Sequence, residues 1–335
     1  MLVRLAFALL LFASFDARAQ ETAIPALGNR GVAFVAEVPG YRFHSDFWLN
    51  LYDYLYGLVG GGPGDYRLDE EGSACLAARP TEQARGWQEA VAFYRADLAE
   101  RHHRRDPVLR SVRHRLAVIA AEHDPNAEVE AVIDLLHGAA PAYRACLWDA
   151  HDARNRERIS DLIGSLVRFG PGLTEILGRL YQAGWPDVVV DVTSYASGAG
   201  ANTTSGLGET PHMMLSSLDP DIAGYSGLEL TLHEASHAIF GGRFGEITEA
   251  LDAAANALGV ELPWQIWHAV SFHTSGWAVQ QVAAAEGVAY EPYWFRNNVF
   301  LDYHEAVATH WQPYLEGNAT MDAAALALIR ALAEP

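Results

Sequence analysis

The chain has 335 residues, 23 basic and 42 acidic, for a formal net charge of −19 at neutral pH. All of the basic residues are arginine; there is no lysine. Such acidity disfavours nucleic acid and anionic lipid as partners, and the two cysteines, Cys75 and Cys146, are too few for a thiolate zinc site of the usual kind.

Met1 to Ala19 reads as an export signal. Arg4 supplies a short basic region, Leu5 to Phe15 an apolar run, and Ala17-Arg18-Ala19 a small-residue cleavage site. The run is too short to span a bilayer, and nothing after it is long enough. The expected mature chain starts at Gln20 and is secreted or periplasmic, with a retained N-terminal anchor as the competing reading. In that oxidising setting Cys75 and Cys146 either close one disulfide or stay free, and their spacing does not decide between the two.

Arg30 to Val38 alternates as a strand does, and Phe43 to Val59 (FHSDFWLNLYDYLYGLV) reads as an aromatic-rich helix ending in a glycine loop, Gly60 to Gly64. From Thr81 to Trp185 the pattern is helical almost throughout, with starts at Thr81, Asp106-Pro107 and Asp124-Pro125. Arg156 to Tyr181 is one long helix or two, interrupted at Gly170-Pro171-Gly172. The basic Arg101 to Arg105 stretch reads as a solvated helix end. After Trp185-Pro186 the character changes. Asp187 to Ser194 is a β-branched strand, and Ala201 to Ser205 and Pro211 to Ser217 are two short strands joined through Gly206-Leu207-Gly208.

Directly downstream, Leu228 to Phe240 (LELTLHEASHAIF) carries His233, Glu234 and His237 as H-E-x-x-H. Helical spacing stacks the two imidazoles on one face, so both can reach one metal ion, while Glu234 lies beside it. Ser226 and Glu229 suggest a capping box, Gly241-Gly242 a stop, and Leu228, Leu232, Ala235 and Ile239 a buried opposite face. The bland alternative is a pair of core histidines with local partners.

A small sheet, an edge strand and a helix bearing H-E-x-x-H resemble the core of the zincin metallopeptidases, over roughly residues 185 to 287. The helical sequence that follows resembles the thermolysin-like branch. A metzincin would have Gly at 240 and His at 243, where this chain has Phe240 and Arg243. HEASH followed by LPWQIWHAV also resembles a group of uncharacterised secreted bacterial proteins with a zincin core. The resemblance implies a zinc-dependent peptidase in which Glu234 activates the zinc-bound water, and an edge strand near Pro211 to Ser217 that receives extended peptide. A Tyr or His would steady the oxyanion, with Tyr225, Tyr290, Tyr293, Tyr303 and His310 as candidates.

A catalytic zinc takes three protein ligands and an open position. The resemblance implies a glutamate about twenty residues past His237, but Ala257 stands there. The segment from Pro263 onward is a helix apolar nearly all round, and within it His268 is the preferred third ligand. Glu249 and Glu261 are the alternatives, then His273, Glu305 or no third protein ligand. His273 lies about 140° round the helix from His268, so the two cannot serve one ion. Glu291 to Pro335 reads as two helices split near Gly317.

The expected fold is α+β and predominantly helical: a signal at 1–19, a helical region at 20–184 and a zincin-like region at 185–335. The expected function is a secreted metallopeptidase holding one zinc through His233, His237 and His268, acting on peptide or protein. A non-catalytic zinc-containing binding or scaffold protein, or a hydrolase of non-peptide amides, is the alternative.

Overall fold

A computed structural model describes residues 23–60, 68–102, 105–117, 126–196, 200–203, 210–240 and 245–333. The expected leader, the Asp124-Pro125 helix start, the Gly241-Gly242 stop and the turn at 206–208 lie outside these residues.

The described chain is mostly helical with one small mixed sheet, an α+β arrangement. Strands β1 (Phe34–Val38) and β2 (Tyr41–His44) form an antiparallel hairpin. The sequence reading missed this hairpin and placed residues 43 and 44 at the start of a helix. Its two-residue turn is Pro39-Gly40, with Gly40 at φ +82°, a conformation that glycine adopts without steric cost. Helix α1 (Phe47–Leu58) then begins at Asp46, whose side chain accepts from the Leu49 N–H.

β3 (Val188–Thr193), β4 (Ala201–Thr203) and β5 (His212–Ser216) complete the sheet in the order β1-β2-β3-β5-β4. β2, β3 and β5 run parallel, and β4 pairs antiparallel with β5 at the edge. Side chains alternate between the two faces. Tyr41, Phe43, Val188, Val190, Val192, Met213 and Leu215 join the larger apolar core. The other face presents His44, Asp191, Thr193, His212, Ser216 and Asn202, all buried.

That polar face meets the second core, built on α1 and on helices α2 (Glu70–Ala77), α3 (Thr81–Phe93), α4 (Pro107–Ala117) and α5 (Ala127–Cys146). α1 is buried from Phe47 to Gly57, which accounts for its aromatic composition. α3 and α5 cross so closely that a Cβ on Gly86 would stand 2.3 Å from the Gly138 carbonyl oxygen. The Cys75–Cys146 disulfide links α2 to the end of α5, with Cα atoms 5.6 Å apart. Arg101, from the basic stretch, is an internal clamp: its guanidinium pairs with Asp106 at 2.8 Å and also reaches Glu128.

Helix α6 (Trp148–Tyr181) runs unbroken through Gly170-Pro171-Gly172. It sends Ile159, Leu162, Leu166, Leu173, Leu177 and Leu180 into the larger core. Packing therefore does not change over at residue 185: α6 and the β1–β2 hairpin share a core with the helices that follow. Those are α7 (Gly224–Phe240), α8 (Glu246–Leu258), α9 (Ile266–Ala285), α10 (Tyr293–Arg296), α11 (His304–His310), α12 (Gln312–Leu315) and α13 (Met321–Ala333). The C-terminal part is thus several short helices and one longer one, where two were expected. No helix among the described residues is long and apolar enough to cross a membrane.

Candidate metal centre

α7 lies against β4, β5, α6 and α9. It starts at Gly224, so Glu229 falls in its second turn and does not close the expected capping box. Its carboxylate is fully buried and instead accepts from the Tyr290 hydroxyl at 2.6 Å and the Tyr293 N–H at 2.9 Å. Burial is the main cause that raises its pKa to about 7, partly offset by the Tyr290 hydrogen bond. Ser226 accepts from Arg296, which also pairs with Asp221. These bonds tie the 290–296 segment to the start of the motif helix. Leu228, Leu232 and Ala235 are fully buried on the opposite side, as helical periodicity requires.

His233 and His237 stack on one face of α7, and α9 brings His268 to them. Ring centroids are 4.9 Å apart for His233–His237 and His237–His268 and 5.0 Å for His233–His268. One nitrogen from each lies within 4.8 Å of the others, and the Nε2 atoms of His233 and His268 are 3.0 Å apart. Tetrahedral zinc at ordinary bond lengths separates its nitrogens by about 3.4 Å. Burial, then the neighbouring His237 and His268, press the His233 pKa well below its ordinary value, which favours the neutral form that a metal ligand needs. The three imidazoles are close enough to hold one metal ion between them.

The surroundings orient the rings. Phe272 stacks on His233 with centroids 3.5 Å apart, and Trp267 stacks on His268 at 4.9 Å. Ser271 Oγ lies 3.4 Å from His233 Nδ1 and 3.0 Å from Ser236 Oγ, so α9 also sets the ring's other nitrogen. Phe300 reaches His268 at 5.0 Å from a left-handed backbone (φ 55°), and Gln265 and Asn298 share that conformation. Three of the four non-glycine positive-φ residues among those described thus lie in the segments next to the histidines, where strain tends to accumulate at working sites.

Glu234 is almost fully buried beside the cluster, its Oε2 3.9 Å from His237 Nε2. Thr203 Oγ1, on β4, lies 2.6 Å from the same Oε2 and 2.8 Å from the Glu234 carbonyl oxygen.

The other candidate ligands are elsewhere. Glu249 is exposed in a cleft with Gln182, Met321 and Asp322, and Glu261 and Glu305 are exposed. His273 faces away on α9 and bonds Gln312 at 2.9 Å, as the turn angle required. Of the expected oxyanion donors, Tyr290 donates to Glu229, Tyr303 to the Trp264 carbonyl, and Tyr225 packs between Phe169 and Tyr290. Tyr293 lies against Phe272, and His310 ends α11. The expected edge strand also changes. β5 is interior, bonded to β3 and β4, and the edge is β4, because residues 201–203 fold back antiparallel onto the outer side of β5.

Thr203, Ser236, Ser271 and Phe272 were not anticipated. A hydroxyl in a short strand and a phenylalanine in a buried helix give no sign of their partners until the chain is folded. No family model, curated protein or solved structure matches the chain, so the geometry of the site alone carries its interpretation.

Proposed function

We propose that the protein is a metal-dependent peptidase with a zincin-like core, holding one zinc through His233, His237 and His268. The observation that carries this is the Glu234 carboxylate, buried beside three converging imidazoles yet not among them. A structural site uses its carboxylates as ligands and closes its fourth position with protein, so a separate carboxylate has no use there. This favours the enzyme over the scaffold reading.

Zinc, when bound, polarises a carbonyl and lowers the pKa of water. Glu234 accepts the proton of the attacking water and delivers it to the leaving nitrogen. A C–O bond forms as the amide C–N bond breaks, and the proton count balances. The buried ring of Phe272 and the half-buried ring of Trp267 shield one side of the cluster from bulk water. β4, as the sheet edge nearest α7, is the strand on which an extended peptide would add.

The Cys75–Cys146 disulfide, together with the leader expected at 1–19, supports export to an oxidising compartment. The mass of the exported protein should place its N-terminus at Gln20; an intact Met1 would contradict cleavage.

A peptide-library digest tests the activity. The zinc-loaded protein should cut, while Glu234→Gln should bind zinc equally and lose at least about 100-fold in rate. If neither cuts while both hold zinc, the binding or scaffold reading replaces this one.

A further inference from the structure

Glu234 has three side-chain torsions, so its place beside the histidines must come from contacts. Fixing such a chain in one rotamer costs conformational entropy. The Thr203 hydroxyl supplies one such contact: its Oγ1 lies 2.6 Å from Oε2 and 2.8 Å from the Glu234 carbonyl oxygen.

Thr203 ends a three-residue edge strand, which its own pairing to Met213, Met214 and Leu215 holds weakly. The adjacent Asn202 points to the opposite face, as strand alternation requires. There its Oδ1 accepts from Arg113 Nη1 at 3.0 Å, and Arg113 Nη2 donates to Asp53 at 2.6 Å. Asp53 is fully buried and Arg113 nearly so. A desolvated ion pair between α1 and α4 is thus anchored to the strand whose next residue grips Glu234. Nothing in the peptidase chemistry requires the second helical core, and this contact gives it a part in the site.

We propose that Thr203 is a positioning residue for Glu234, and that the buried Asp53–Arg113 pair, through Asn202, fixes the strand that carries it. The proposal rests on Glu234 being the base, so its test has one arm that needs no activity. In a denaturant-unfolding cycle of Thr203→Val and Glu234→Ala in the full chain, the two changes should be coupled by about tenfold or more in the unfolding constant. Additive effects would overturn the positioning contact, whatever the protein catalyses.

The second arm is kinetic. Thr203→Val should lower kcat about 10- to 100-fold, with KM and zinc affinity within about twofold, and Thr203→Ser should restore it to within about threefold. Asn202→Ala should lower kcat alone but add little to Thr203→Val. If Thr203→Val keeps full kcat while Glu234→Gln abolishes it, the base stands and positioning falls. If Glu234→Gln stays fully active, the base reading falls, and positioning for catalysis with it. Additive loss in the Asn202/Thr203 double variant overturns the route from Arg113 through the strand.

Discussion

His233 Nε2 and His268 Nε2 lie 3.0 Å apart although 35 residues separate them. α7 and α9 meet along a polar line, from Ser236–Ser271 to this histidine pair. The line brings two imidazoles to the same point in space, and His237, one turn on, converges there.

If a metal sits at that point, the three histidines are not equivalent to the other candidates. Calorimetric zinc titration should show His268→Ala losing affinity as severely as His233→Ala and His237→Ala, by about 100-fold or more. His273→Ala, Glu249→Ala and Glu261→Ala should bind as the parent does. A His268→Ala protein with parental affinity would remove α9 from the site.

Glu229 should make stability depend on pH in one direction. Its folded pKa of about 7 lies above the ordinary 4.5, so folding favours its neutral form. That contribution is complete below about pH 4.5, declines as pH rises and is lost above about 7, on the order of 3 kcal/mol. His151 and His273, both lowered by burial to about 4, act oppositely: their contribution is present above about 6.5 and lost as pH falls toward 4. Urea unfolding of the parent and Glu229→Gln across this range isolates the glutamate. The parent should lose stability relative to the variant between pH 4.5 and 7, and parallel profiles would contradict the assignment.

Removing the disulfide by Cys75→Ala with Cys146→Ala should lower stability by about 2–4 kcal/mol, since the bond closes a loop spanning 71 positions. The loss belongs to α2 and α5, the helices of the second core that carry the two cysteines. Zinc content of the folded variant should match the parent; a parallel loss of metal would show that the two cores fail together.

Gly86→Ala should destabilise the protein by about 1–3 kcal/mol or more, because the added carbon meets the Gly138 backbone, which cannot rotate away. Gly164→Ala, on α6 with open space around its Cα, should be neutral or slightly stabilising. Thermal unfolding of the two variants provides the comparison.

Local rules were enough for much of this molecule. Helical spacing alone puts His233 and His237 on one face, the β-branched run at 188–193 makes a strand, and the turn angle separates His268 from His273. Such features depend on a few neighbouring residues and on backbone geometry that is the same in every protein. What lay beyond the sequence were the choices between partners distant in the chain. His268 and Glu249 are both near enough in sequence to supply a third ligand; only the packing of α9 on α7 brings the first inward and leaves the second exposed. Glu229 resembled a cap and became a buried anchor because Tyr290 and the Tyr293 N–H were there to satisfy it. β5 resembled an edge until residues 201–203 paired on its outer side, and Thr203 acquired its place at Glu234 by the same pairing. A hydrogen bond or an edge is a property of two segments, and which segments meet is decided when the apolar cores close.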